Sequence, residues 1–178
     1  EIADRLKSGE KLIADKHNEV SVLFADIVEF TPQSQNLNPK ELVSILNSIF
    51  THFDDLSTKY NIEKIKTIGD NYFAVAGLQS SGRKSAIDLI NMAKDIISAI
   101  NNINDGLNVM NVSLRVGIHT GPIVAGVIGK NKFAYDLWGA TVNKASRMES
   151  SGDKNKIQIS SETYNLIKED FKVLEKRK

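Results

Sequence analysis

Ile65-Lys66-Thr67-Ile68-Gly69-Asp70-Asn71-Tyr72-Phe73-Ala74-Val75 is the stretch that decides the fold. Two short apolar runs, 62–68 and 71–76, flank Gly69-Asp70, a pair suited to the two-residue turn of a β-hairpin. A helix is predicted on each side. Upstream, Asn38, Pro39 and Glu41 read as N-cap, first helical residue and reciprocal acid of a capping box. Leu42, Ile45, Leu46, Ile49, Phe53 and Leu56 then recur at helical spacing as far as about residue 60. Downstream, Ala86, Leu89, Ile90, Ala93, Ile97 and Ile100 form a second stripe that starts near Arg83.

Further out lie two more strands. At 20–25, Val20, Val22 and Phe24 face one way and Ser21 and Leu23 the other; a run so apolar on both sides suits a central strand. At 112–119 a fourth strand ends before Gly121-Pro122. The order strand, helix, strand, strand, helix, strand is that of an α/β (α+β) domain with a ferredoxin-like βαββαβ core, its mainly antiparallel sheet covered by helices on one face. A C-terminal αβ extension should follow: strands at 123–128 and 133–138, a helix at 140–150, a strand at 156–159, a helix at 161–167 capped by Ser160 or Ser161, and a strand at 171–174. Residues 1–18, mostly charged, read as an exposed helix or connector, which leaves 19–178 as the folded domain.

This order has a geometric consequence. The first and third strands are antiparallel neighbours, so Asp26, at the exit of one, and Asp70, in the turn that opens the other, meet at one end of the sheet. Either acid alone reads as a solvated turn residue or helix cap. Together they repel unless a cation lies between them, and hard oxygen donors suit Mg²⁺ shared with substrate phosphates. Lys66 alone reads as a surface lysine. His17, His52 and His119 fall at no metal-ligand spacing, Trp138 reads as packing, and neither a phosphate-binding Gly-x-x-x-x-Gly-Lys loop nor a nucleophile elbow is present.

Composition narrows the classes. The 178 residues suit one domain with a real core, and 23 basic against 22 acidic residues give a net charge of +1, no argument for nucleic-acid binding. The absence of cysteine removes disulfides, thiolate nucleophiles and zinc-thiolate sites and is compatible with a reducing, cytoplasmic setting. No apolar run approaches the roughly 18 residues of a membrane helix. Charged sequence at both ends reads as a domain cut from a longer protein.

Four motifs carry a resemblance. Phe24-Ala-Asp-Ile-Val-Glu-Phe-Thr31, Glu63-Lys-Ile-Lys-Thr-Ile-Gly-Asp70, Leu114-Arg-Val-Gly-Ile-His-Thr-Gly121 and Tyr135-Asp-Leu-Trp-Gly-Ala-Thr-Val-Asn-Lys-Ala-Ser-Arg-Met148, in this order, closely resemble the class III nucleotidyl cyclase catalytic domain over about residues 20–167. The resemblance implies two Mg²⁺ or Mn²⁺ ions on Asp26, Asp70 and the Ile27 carbonyl, and in-line attack of the ribose 3′-hydroxyl on the α-phosphorus of the nucleotide. It implies phosphate contacts from Phe30, Thr31 and Arg115, ribose orientation by Asn143 and charge stabilisation by Arg147. Lys66 and Asp136, with Leu137, match the base-reading positions. A lysine and an aspartate there suit adenine, whereas guanylyl cyclases typically carry Glu and Cys, so the chain resembles an adenylyl cyclase that takes ATP.

The family further implies a head-to-tail homodimer with two shared sites, and an upstream sensory or membrane module that acts through the connector. Two departures stand out. Glu29 occupies a position that is usually Gly, and the family's late triphosphate-binding lysine would fall beyond Lys178. The alternatives are a guanylyl or mixed-specificity cyclase and a catalytically silent nucleotide-binding module. A cyclic-dinucleotide synthase would need a Gly-Gly-(Asp/Glu)-Glu-Phe-type signature that the chain lacks.

Overall fold

The computed structural model describes residues 4–5, 8, 13–80, 82–106, 111–129 and 132–175. Its elements, in chain order, are β1 (Ile13–Ile27), α1 (Phe30–Ser34), α2 (Pro39–Lys59), β2 (Glu63–Ile68), β3 (Asn71–Ala76), α3 (Arg83–Gly106), β4 (Leu114–Ile128), β5 (Ala134–Trp138), α4 (Ala140–Ser150), β6 (Lys156–Ile159) and α5 (Ser161–Ile167). Five strands lie in the order β2-β3-β1-β4-β5, and β6 joins β4 in parallel. The first four strands have the predicted ferredoxin-like arrangement, and every pair among the five is antiparallel.

Local chemistry explains the boundaries. Asn38 caps α2 by accepting from the amides of Lys40 and Glu41 while the Glu41 carboxylate accepts from the Asn38 amide, a complete capping box. Ile68 pairs with Asn71 across Gly69-Asp70, so the hairpin turn has two residues; Gly69 sits at φ 62°, a region glycine enters without a side-chain clash. Ser160 caps α5 through the Thr163 amide.

Alternation along the central strands builds two cores. Leu23, Ala25 and Ile27 of β1, with Tyr72 and Ala74 of β3, face a large core filled by α2, α3 and the end of α5. Val20, Val22 and Phe24, with Phe73 and Val75, face a smaller core closed by Leu137 of β5 and Ala145 of α4. Phe24 and Phe73 stack there with ring centroids 4.6 Å apart. The sheet is therefore covered on both faces, not on one: β5 and α4 belong to the far side.

Three further expectations change. Residues 13–18 are not a connector but the first part of β1, and Ile13–His17 pair with Ile123–Val127 of β4. The predicted strands at 112–119 and 123–128 are one strand, β4, running through Gly121-Pro122. Residues 171–174 form no strand; Phe171 packs at the edge of the large core and Leu174 is 95% exposed. The short helix α1 had no expectation attached to it.

Candidate active site

The register of three strands sets one end of the sheet. Asp26 lies between Asn71 on β3 and Arg115 on β4, so these three side chains form a row on the face covered by α4. Asp70 sits in the adjoining turn, and its carbonyl accepts from the Ile27 amide at 3.4 Å. The two sequence-predicted carboxylates are thus together. Burial raises the Asp26 pKa, the hydrogen bond from Arg115 opposes this, and the charge of Asp70 raises it again.

Arg115 donates from Nη2 to Asp26 at 2.9 Å and from Nε to Glu149 at 3.1 Å. Glu149, on the inner face of α4, is only 4% exposed and has its pKa raised, first by burial and then by Asp26. Asn71 Nδ2 lies 3.5 Å from its second oxygen. Sequence reasoning missed Glu149 and Asn71: one follows Arg147-Met148 on a helix and the other follows Asp70, and neither spacing announces a contact with Arg115.

The segment after β1 is fixed locally. Ile27 and Phe30 are buried in the large core, Thr31 is exposed, and the Val28 amide donates to the Ser113 carbonyl at 2.8 Å. Glu29 is left-handed, at φ 56° and ψ 30°, which is the backbone reason a glycine suits this position. Its side chain is 63% exposed and accepts from Lys154 at 3.0 Å, away from Asp26.

A second group joins β2 to β5. β2 is bulged at Ile65, because Lys64 pairs with Ala74 and Lys66 with Phe73. The extra residue turns Lys66 onto the Phe73 face, under β5, where its ammonium donates to the Asp136 carboxylate. The other Asp136 oxygen accepts from the Leu137 amide at 2.9 Å, and Leu137 is buried. Lys66 and Asp136 are 70 residues apart in the chain and form an ion pair. On α4, Asn143 and Arg147 are exposed one turn apart, and neither side chain has a hydrogen bond or ion pair among the described residues. Ala145 and Glu149 bury the opposite side of that helix.

Residues 12–178 match the family model described as the adenylate and guanylate cyclase catalytic domain. This chain belongs to that family. The cyclase domain is 43% identical over 176 residues to an adenylate cyclase of Mycobacterium bovis, covering 98% of this chain and 40% of that protein. It superposes with a TM-score of 0.83 and 36% identity on the catalytic core of a rhodopsin-guanylyl cyclase with converted specificity, solved with ATPαS, covering 89% and 85% of the two chains. The guanylate cyclase domain of RhGC from Catenaria anguillulae, solved with GTP, gives a TM-score of 0.84 and 34% identity over 88% and 86%. The chain spans 40% of the length of the mycobacterial relative. No described helix of the cyclase domain is long and apolar enough to cross a membrane.

The donors present fit a hard divalent cation. Asp26 and Asp70 bring two interacting carboxylates together. Beside them Asn71 Oδ1 is a buried oxygen with no hydrogen-bond partner among the described residues. No cluster of three or more histidine, cysteine or acidic side chains that could hold a metal occurs among the described residues.

Proposed function

We propose that this cyclase domain converts ATP to 3′,5′-cyclic AMP and pyrophosphate at sites shared between two copies of the chain. The observation that carries the choice of base is the Lys66–Asp136 pair, brought together by the β2 bulge and β5. Lysine only donates and an ionised aspartate only accepts, so together they suit the acceptor ring nitrogen and the donor amine of adenine. Guanine presents a donor at that ring nitrogen and an acceptor at the neighbouring exocyclic position, leaving both side chains mismatched. The 43% identity to a protein named adenylate cyclase supports the same reading.

In this reading, Arg115 contacts the triphosphate and the Phe30–Thr31 segment contributes backbone amides beside it. Asn143 orients the ribose, and Arg147 stabilises charge on the α-phosphorus as its bond to the 3′-oxygen forms and its bond to pyrophosphate breaks. Mg²⁺ or Mn²⁺ held by Asp26, Asp70 and the Ile27 carbonyl would supply positive charge to the phosphates and acidify the 3′-hydroxyl. Asn143 and Arg147 point outward from α4, on the side away from Glu149, and that placement supports a site completed by a second copy. The chain's 40% share of its relative's length is compatible with a further module, which this reading places upstream as a sensory or membrane-bound unit, with this domain on the cytoplasmic side.

Product formation from ATP and GTP, measured side by side with Mn²⁺, tests the assignment. Cyclic AMP should exceed cyclic GMP by about 100-fold at equal nucleotide. Equal or greater cyclic GMP formation would overturn the adenine assignment, and no product from either nucleotide would leave a silent binding module.

A further inference from the structure

Glu149 is a carboxylate at this end of the sheet that none of the motif correspondences uses, yet the fold makes a specific place for it. Gly117 lies directly under it on β4: a Cβ at Gly117 would come within 2.0 Å of the Glu149 amide nitrogen. The missing side chain lets the end of α4 sit on the strand, and the Glu149 carboxylate then reaches the row formed by Asn71, Asp26 and Arg115. Its two oxygens face different partners, Oε1 towards Arg115 and Oε2 towards Asn71.

Arg115 is held at two points of its guanidinium. Nε, next to the aliphatic stem, bonds Glu149, while the outer Nη2 bonds Asp26. The outer bond occupies one oxygen of a carboxylate in the proposed cation site, whereas the Nε bond goes to Glu149, which is outside that site. With Nε fixed, both Nη groups stay at the carboxylate rim as free donors for a phosphate, because the guanidinium is planar and its donors have fixed directions.

We infer that Glu149 is a positioning residue for polyphosphate binding: it holds Arg115 by Nε, so that the guanidinium remains at the rim when a cation and a triphosphate displace it from Asp26. The inference rests on the reading of Asp26 and Arg115 given above, but binding of an inorganic ligand tests it separately from cyclase activity. Asn71 assists by holding the second oxygen of Glu149.

The probe is tripolyphosphate with Mn²⁺, titrated calorimetrically into the wild-type domain and into Glu149→Gln, Arg115→Ala and the double variant. Glu149→Gln keeps the size of the side chain and removes its charge. It should weaken binding by about 10-fold and raise the KM for ATP by a similar factor, with kcat changed less than about 3-fold. In the Arg115→Ala background, Glu149→Gln should add less than about 2-fold, because the group it positions is gone. Glu149→Asp should fall between wild type and Glu149→Gln.

Additive losses in the double variant, or unchanged tripolyphosphate binding by a folded Glu149→Gln protein, would overturn the inference. If Glu149→Gln does not fold, Glu149→Asp, which keeps the charge but draws it back from Arg115 Nε by one methylene, should still weaken binding by a few-fold; no change there would count against it. Binding that follows this pattern in a protein without cyclase activity would uphold the positioning role and reject the proposed reaction.

Discussion

Glu29 is the residue where sequence and structure speak most directly to each other. The motif favours glycine because the backbone is left-handed there, a conformation that costs an ordinary residue about 1–2 kcal/mol. The acidic side chain leans to Lys154 on the surface, an exposed pair contributing about 0–1 kcal/mol. Glu29→Gly exchanges the strain for the greater flexibility of unfolded glycine and should change unfolding free energy by less than about 1 kcal/mol. Glu29→Val, with a branched Cβ in the same conformation, should lose about 2 kcal/mol, both values being read from urea denaturation. Because the carboxylate faces Lys154, Glu29→Gly should leave the KM for ATP within about 2-fold.

His119 gives a pH prediction of known sign. Its Nδ1 lies 2.7 Å from Ser160 Oγ, in a buried chain of hydroxyls that continues through Thr163 and Thr120 to Ser21. Burial lowers its pKa below 6.5; Glu162 opposes the shift and Lys144 adds to it. The unfolded chain then binds a proton that the folded protein refuses, so stability falls as pH drops below about 6.5 and levels off beneath the folded pKa. Asp26 and Glu149, with raised pKa values, act in the opposite sense in the carboxylate range. Melting temperatures at pH 7.5 and 5.5 should show a drop in wild type that is smaller in His119→Asn.

At the scale of elements, β4 shows how a proline can sit inside a central strand. His17 pairs with Ile123 and Val20 with Gly121, so Asn18 and Glu19 together oppose Pro122. The missing amide of Pro122 thus falls at a bulge, where no ladder hydrogen bond is due. Gly-Pro signals a break when read along one strand; its neutral effect here depends on the neighbouring strand, which the local sequence does not carry. The bulge at Ile65 is of the same kind, since it decides which face Lys66 occupies.

The contact between β4 and α4 carries the element-scale prediction. A methyl group at Gly117 meets backbone atoms of Met148 and Glu149 at 2.0–2.6 Å, and backbone cannot step aside as a side chain would. Gly117→Ala should cost about 3 kcal/mol or more by forcing α4 off the strand. Because α4 carries Asn143, Arg147 and Glu149, activity should be lost even at temperatures where far-UV circular dichroism shows the domain still folded.

For the whole molecule, the proposed division of each site between two copies has a quantitative test. Asp26→Ala and Arg147→Ala proteins should each be inactive, and an equal mixture should recover about a quarter of the wild-type activity. Half of randomly formed dimers are mixed, and each mixed dimer keeps one of two sites intact. No recovery after exchange would reject the shared site. Ile68, Val124, Ile128, Phe133 and Trp138 are exposed large apolar residues on β2, β4, β5 and the segment before β5, apolar surface that a partner could cover.

The amino-acid sequence alone determined the order of the core elements, the capping box of α2, the hairpin at Gly69-Asp70 and the meeting of Asp26 with Asp70. Periodicity, capping and turn chemistry are local, and the topology follows once the order of strands and helices is known. Tertiary structure decided the rest: the second core under β5 and α4, the continuity of β4, the turning of Lys66 towards Asp136, and the grip of Glu149 on Arg115. Each of these depends on register between strands or on contact across dozens of residues, and a one-residue bulge reverses which face a side chain occupies without leaving a reliable mark in the chain that carries it.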